Sequence, residues 1–452
     1  MGATYDLVVI GTGNAGQQAA NVTRAAGWRV AIVEGRDIGG TCALRGCVPK
    51  KVLAAAAETM DVIRRAGAQA IRVGDAALDW SALIAHERTF VEGVPAELKA
   101  DLTGRGIEVV EGQARFLDRD ALAVSGRAEP LRARHFVVAS GAVPRPLDFP
   151  GGATLLTSDD LLELRALPSR VAFVGAGVIA LELAHVMARA GARVTLLESG
   201  PRALPGRDAD AVAQLVGATR ARGIEVRTDV HVQAVEGEGG DARVVRFTER
   251  GQAQSLTVDA VAHGAGRIPA LAALDLPAAG VTFDGPNPLL DPANRSRGNP
   301  AVWFAGDAVP GAPQLSALAS YEGRLVGRNL VRGETRAPDY RSIPSAIFSV
   351  PALASVGPTE ADARARGLTF ETKVNDMRTW RSARTYGEET AWAKVLIDPA
   401  ADRVVAAHLV GHGATETINA FALAMRHDIS VTELKEGVFA YPTFHSDLKF
   451  LL

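Results

Sequence analysis

The sequence predicts an α/β protein, and three observations carry that expectation. A pattern of strand, glycine-rich turn, helix, second strand and terminal acid occurs twice. Towards the end, strand-like runs Ala393 to Ile397 and Arg403 to Leu409 precede a helical run Thr415 to Arg426, the order of an α+β domain. The bulk is that of an ordinary globular protein, with 47% hydrophobic and 22% charged residues. At 452 residues the chain is too long for one core, which sets an expectation of about two to four domains.

The first copy of the pattern begins with the strand-like Leu7-Val8-Val9-Ile10 and continues as Gly11-Thr12-Gly13-Asn14-Ala15-Gly16. An alanine-rich helical stretch runs to Ala26, Gly27 breaks it, and Arg29 to Val33 returns as a strand ending at Glu34. Gly11 permits the tight turn, Gly13 lets backbone approach a pyrophosphate, and Gly16 lets helix and strand pack closely. The helix start offers free N–H groups and the positive end of its dipole to the phosphates, and Glu34 can accept from ribose hydroxyls. The second copy runs from Val171-Ala172-Phe173-Val174 through Gly175-Ala176-Gly177-Val178-Ile179-Ala180 to a strand Arg193 to Leu197 and Glu198. First glycine and terminal glutamate are 23 residues apart in both, Gly11 to Glu34 and Gly175 to Glu198. Ala180 replaces the third glycine, which a small-residue packing role tolerates. A chain that binds two dinucleotides suggests hydride transfer from a nicotinamide to a flavin.

A net charge of −2 leaves no basic face of the size nucleic acid requires. The start, Met1-Gly2-Ala3-Thr4-Tyr5-Asp6, lacks the charged region and long apolar core of a signal peptide. Val171 to Ala188 is long and apolar enough to suggest a membrane span, but Gly175, Gly177, Glu182 and His185 make a strand-turn-helix the better account. The expectation is a cytoplasmic protein without membrane or nucleic-acid partners. Only two cysteines are present, Cys42 and Cys47. They are too few for an all-protein tetrahedral zinc site, so no metal site is expected. In the cytoplasm such a pair leans towards catalysis or sensing, with a structural disulfide as the alternative.

Glu34 is followed by Gly39-Gly40-Thr41-Cys42-Ala43-Leu44-Arg45-Gly46-Cys47-Val48-Pro49-Lys50-Lys51 and then a helical pattern, Val52 to Arg65. Pro49 suits a first helical turn, so Cys47 is expected at a helix N-terminus, where the dipole, Lys50 and Lys51 favour thiolate. This segment resembles the glutathione reductase version of the class I pyridine nucleotide–disulfide oxidoreductases, the family that includes dihydrolipoamide dehydrogenase and mercuric reductase. The resemblance runs essentially end to end. Its further landmarks are Val138-Ala139-Ser140-Gly141-Ala142, Gly266-Arg267-Ile268-Pro269, Phe304-Ala305-Gly306-Asp307, and Phe348-Ser349-Val350-Pro351 through Ala354-Ser355-Val356-Gly357.

The resemblance implies two Rossmann-type domains, for FAD and NAD, and a C-terminal dimerisation domain. FAD would be held by residues 1–150 and 265–335, NAD by an inserted 151–264, and the dimer by 336–452, with Pro144 to Gly152 and Arg332 to Pro344 as connections. Cys42 would be the interchange thiol and Cys47 the charge-transfer thiol, alternating between dithiol and redox disulfide. Lys50 would pair with Glu182, Asp307 would bind the ribityl chain, and backbone near Ala114 the adenosine. Gly40, Thr41, Ser140, Gly141, Gly306, Ile179 and Gly266 belong to the cofactor-binding segments. Without the resemblance, Lys50 and Glu182 read as two unrelated surface charges.

Glu198 suits the 2′-hydroxyl of NADH and repels the 2′-phosphate of NADPH, while Arg202 and Arg207, which read as solvated loop residues, are the route by which NADPH would still be accepted. The acceptor is expected to be a disulfide or another thiol-reactive species. A mercuric-reductase-like or quinone-type activity is the alternative, although the C-terminal vicinal cysteines and N-terminal metal-binding extension of mercuric reductases are missing from this sequence. A non-catalytic flavin-bound redox sensor is the third reading. Glutathione and lipoamide enzymes carry a His-Pro-Thr segment with a glutamate five residues after the histidine. Here it reads Tyr441-Pro442-Thr443-Phe444-His445-Ser446, so Tyr441 replaces the histidine and Ser446 the glutamate. His445, one helical turn further if the segment is helical, is the substitute proton carrier to consider.

Overall fold

A computed structural model describes residues 4–237, 242–411 and 413–452; Met1, Gly2 and Ala3, which open the N-terminal segment read above, lie outside the described residues. The chain divides into two compact units. One comprises residues 1–50, 86–145 and 267–339, the other 51–85, 146–266 and 340–452.

In the first unit, a seven-stranded sheet is built on parallel strands Glu108–Glu111, Val30–Glu34, Tyr5–Ile10, Leu131–Val138 and Val302–Phe304. Ala121–Val124 and Ala114–Asp118 extend it antiparallel. The parallel part is covered on both faces, by helices over Leu7, Val9, Ile32 and Val137 and by the antiparallel strands with residues 271–281 over Val8, Phe136 and Phe304, and all seven of these side chains are fully buried. Register then decides where the chemistry falls. Ile10 pairs with Val33 and with Val138, and Val138 with Phe304, so the strands end level. Gly11, Glu34, Ala139-Ser140 and Ala305-Gly306-Asp307 follow those ends and therefore share the carboxyl edge of the sheet, where open parallel sheets bind ligands.

Helices Asn14–Ala25 and Ser316–Arg332 cross closely in this unit. A methyl on Gly323 would stand 2.1 Å from the carbonyl oxygen of Ala15, and one on Gly327 would stand 2.8 Å from Val22. Both positions thus need glycine for the helices to approach. The crossing brings the first residues of the two helices, Asn14 and Ser316, within hydrogen-bond reach.

The second unit holds a parallel sheet in the order Glu225–Arg227, Arg193–Leu197, Arg170–Val174, Ala260–His263, with an antiparallel three-stranded sheet Val230–Glu236, Arg243–Glu249 and Gln252–Val258. It also holds a five-stranded antiparallel sheet in the order Ser345–Ile347, Leu353–Val356, Arg403–Gly411, Ala391–Asp398, Glu371–Asp376. Helix Ala414–Arg426 packs on that sheet through Ile418 and Phe421. The strand-then-helix order expected for the C-terminal section is therefore observed. In strand Ala391–Asp398, Lys394 is 2% exposed, and its ammonium lies 2.6 Å from Asp210, 3.1 Å from Asp208 and 2.5 Å from Glu360. Burial of a lysine is tolerated here because three carboxylates hold its charge, and they raise its pKa despite the desolvation. No helix among the described residues is long and apolar enough to cross a membrane.

Candidate active site

The first glycine loop is shaped by contacts that leave no room for side chains. A methyl on Gly11 would lie 2.3 Å from the carbonyl oxygen of Ala139, and one on Gly16 would lie 1.9 Å from that of Gly11. A methyl on Gly13 would meet nothing within 4 Å, so that face of the loop is open to a pyrophosphate. Glu34 has a second task the sequence did not announce. Its carboxylate accepts from Thr12 N at 2.9 Å and Thr12 Oγ1 at 2.6 Å, while Thr12 Oγ1 itself accepts from Gly39 N at 2.9 Å. The acid thereby ties the glycine loop to the turn that carries the cysteines. That turn lies against the loop, since a methyl on Gly40 would sit 2.6 Å from Gly13 Cα.

The same edge fits a flavin dinucleotide on two further observations. Ser140 Oγ is buried with no hydrogen-bond partner, and Asp307 is held in its neutral form more than an ordinary aspartate by burial, opposed by Arg267. A polyhydroxyl chain would satisfy both groups. Gly141, at φ +74°, and Gly266, at φ +94°, flank a two-stranded ribbon, Ala142–Pro144 with Arg267–Pro269, which closes this side of the first unit. Gly306, at φ +69°, gives its N–H to the buried Glu322, and the buried Ala114 begins the strand Ala114–Asp118.

Cys42 lies on a short helix, Gly40–Leu44, directly after the exposed Thr41, and Cys47 is the first residue of helix Cys47–Arg65. The helix starts earlier than the hydrophobic pattern indicated, because Val48-Pro49-Lys50 form its first turn. Both cysteines are free thiols, so this is the dithiol form of the pair. The two thiols of the pair divide their charge unequally. Hydrogen bonding from Cys47 lowers Cys42 to about 6, with Ser316 and Asn14 adding to the effect against burial. Cys47 is pushed up, by the same pairing, by burial and by the charge on Cys42, although Lys50 opposes. The helix start and Lys50 do favour thiolate at Cys47, as expected, but Cys42 has three hydrogen-bond partners and takes the charge first. Cys42 Sγ is 3.1 Å from Ser316 Oγ, to which Asn14 Nδ2 also donates. Sequence reading missed Asn14 and Ser316, which lie 302 residues apart and meet only through the helix crossing.

The second glycine loop repeats the first. Glu198 accepts from Ala176 N at 2.8 Å, as Glu34 does from Thr12 N, and its other oxygen accepts from Gly200 N at 2.9 Å. Gly175 has φ +98°, and a methyl there would meet Gly264 O at 2.5 Å; for Gly177 the distance is 3.0 Å. Ala180 is fully buried and Ile179 half-buried on helix Val178–Arg189. A methyl on Gly264 would be 2.7 Å from the Ala180 methyl, so Gly264 is what makes room for alanine. Arg202 and Arg207 are not solvated. Arg202 donates to the carbonyls of Leu204, Pro205 and Arg207, and Arg207 to Ser345 Oγ.

Glu182 is not a surface charge either. It is 2% exposed on helix Val178–Arg189 and accepts from Phe348 N at 2.8 Å, whereas Lys50 is half-buried in the first turn of its helix. At the C-terminus Tyr441 is 67% exposed and its phenol oxygen accepts from Arg381 Nη1 at 2.7 Å. Ser446 is occupied in a reciprocal cap with Thr443 and takes over nothing from the missing glutamate. His445 packs edge-on against Phe439. It lies in a 3-10 helix, Phe444–Asp447, that begins after Tyr441, so the two are not one helical turn apart.

The family model described as pyridine nucleotide-disulphide oxidoreductase matches residues 5–323, and that of the family's dimerisation domain matches residues 343–450. Mercuric reductase of Staphylococcus aureus is 30% identical over 448 residues, which are 98% of this chain and 81% of that protein. Glutathione reductase of Burkholderia cepacia is 30% identical over 439 residues, 97% of this chain and 96% of that protein. Among solved structures, the Cu(II) complex of the HOCl-induced flavoprotein disulfide reductase RclA from Escherichia coli superposes with a TM-score of 0.88 at 26% identity, covering 99% of both chains. With its two dinucleotide loops and its dithiol at a helix start, the chain belongs to the pyridine nucleotide-disulphide oxidoreductase family and is an FAD-dependent flavoprotein disulfide reductase.

Proposed function

We propose that this enzyme takes electrons from NADH in preference to NADPH and delivers them from Cys42 to an acceptor whose reduced product needs no proton on leaving. Bound FAD supplies the two-electron relay between nicotinamide and thiols. Glu198 selects NADH, since its carboxylate repels a 2′-phosphate and Arg202 and Arg207 are committed elsewhere. Cys42 attacks an acceptor disulfide as thiolate and expels one thiolate, and Cys47 then loses its proton and displaces the second thiolate to close the disulfide, whereas two cupric ions, each taking one electron, are needed for the same closure. Lys50 and Glu182 serve the nicotinamide side, and residues 1–150 with 265–335, 151–264 and 336–452 act as FAD, NAD and dimer domains. In a cytoplasmic homodimer, Tyr441 serves the acceptor side of the partner subunit.

One observation carries this reading. The position of the acid–base histidine holds Tyr441, Ser446 is spent on a cap, and His445 is packed on Phe439. A phenol donates a hydrogen bond at neutral pH but, unlike an imidazole, does not gain and lose a proton there. Proton delivery to an alkyl thiolate is therefore weak. A soft metal ion is the second reading of the acceptor, favoured by relatives named mercuric reductase and by a structural neighbour solved as a Cu(II) complex. Steady-state assays with NADH separate these. Cupric ion, mercuric ion or an aryl disulfide with a stable leaving thiolate should turn over at least about tenfold faster than oxidised glutathione. Equal or better turnover of oxidised glutathione would overturn the proposal.

A further inference from the structure

The C-terminal segment that carries Tyr441 is fastened to one short helix, Arg381–Thr385, and its flanks. Ser382 Oγ donates to Asp447, Tyr386 stacks on Phe444 with ring centres 5.7 Å apart, and Trp380 meets Phe450 edge-on at 6.1 Å. Trp380 itself packs on the core of the five-stranded sheet. These contacts hold the segment as a whole. The fourth contact acts on a single atom: Arg381 Nη1 donates to Tyr441 Oη at 2.7 Å.

We infer that Arg381 is a positioning residue that turns Tyr441 into an oriented hydrogen-bond donor for the acceptor step. A guanidinium can only donate, so its bond to the phenol occupies an oxygen lone pair and leaves the phenol O–H directed elsewhere. A phenol free of such a partner rotates its O–H between donor and acceptor orientations. With Arg381 in place, Tyr441 presents a hydrogen to whatever anionic sulfur or oxygen stands before it. Both side chains are exposed within their own subunit, so the phenol is available to a reacting group. The bond is a single N–H contact and not a two-pronged fork, which a lysine ammonium can reproduce. This rests on the reading that Tyr441 serves the acceptor step.

The experiment measures reoxidation of the NADH-reduced holoenzyme by cupric ion and by an aryl disulfide in stopped flow, beside flavin reduction by NADH. Tyr441→Phe should slow reoxidation about tenfold, the effect of one charge-assisted hydrogen bond. Arg381→Met should slow it to a similar extent, the double variant should be no slower than Tyr441→Phe, and Arg381→Lys should recover to within about threefold of wild type. Flavin reduction should be unchanged in all four, because the other three contacts keep the segment in place. If Tyr441→Phe is slowed and Arg381→Met is not, or if the two effects multiply, the inference fails while the reading of Tyr441 stands. If Tyr441→Phe reoxidises at the wild-type rate, the reading of Tyr441 fails and takes the inference with it.

Discussion

The two glycine loops have the same spacing and the same acid bonded to the same backbone N–H, yet they differ at three places that separate their tasks. The first begins its helix with Asn14, which reaches Ser316 beside Cys42; the second begins with Val178, which has nothing to donate. The first keeps Gly16 and has Ala139 on the neighbouring strand end; the second has Ala180 and keeps Gly264 at the equivalent place. After its acid the first loop leads to the cysteine turn, hydrogen-bonded back through Thr12, while the second leads to a loop that Arg202 closes on itself. The shared parts are what any dinucleotide needs. The differing parts equip one site to work with a thiol pair and leave the other to a reductant that comes and goes.

Four experiments test that division, in falling order of effect. Cys42→Ser should reduce acceptor turnover by at least about a thousandfold while the flavin still accepts electrons from NADH. Retained turnover would move the chemistry away from the cysteine turn. Gly264→Ala should put a methyl against Ala180 and the Gly175 carbonyl and weaken pyridine nucleotide binding by about 1–3 kcal/mol, roughly five- to 150-fold in KM, with FAD content unaltered. Adding Ala180→Gly, which copies the first loop, should restore binding only in part, because the same methyl would also stand 2.7 Å from the Gly175 carbonyl oxygen; if the pair stays as poor as the single variant, the exchange of small residues is not what distinguishes the loops. Glu198→Ala should shrink the ratio of NADH to NADPH kcat/KM by roughly tenfold, an effect that the equivalent Glu34→Ala should lack. Asn14→Val copies the second loop's residue. Alkylation of the reduced enzyme should titrate near the value of about 6 set around Cys42, thiol below it and thiolate above, and should move upward in this variant. An unmoved titration would remove Asn14 from the site.

Much of this was legible in the chain. Period, glycine spacing and terminal acid are local signals, and so the strands Tyr5–Ile10 and Arg193–Leu197, the helix starts after Gly13 and Gly177, and the placing of Cys47 at a helix start all agree with the sequence reading. What the sequence could not disclose is what depends on contacts between distant segments. Ser316 is an unremarkable serine until Gly323 and Gly327 let its helix lie against the first one. Glu182 looked like a surface charge because helix Val178–Arg189 has only mild amphipathicity, being buried on most of its faces. Arg202 looked solvated because its partners are backbone carbonyls, which no side-chain pattern reveals. Gly264 has no motif of its own, and its role follows only from the alanine and the Gly175 carbonyl opposite.

The buried Lys394 bears on how such a protein can be rebuilt. Its three acidic partners belong to two stretches of sequence: Asp208 and Asp210 follow the strand Arg193–Leu197, and Glu360 follows the strand Leu353–Val356. Transplanting either stretch alone into a relative would leave buried charge without its complement, at a cost of about 3–5 kcal/mol. An exchange that keeps this chain's fold stable therefore carries lysine and acids together. In this chain the two stretches form a matched set, whatever the glycine loops themselves hold.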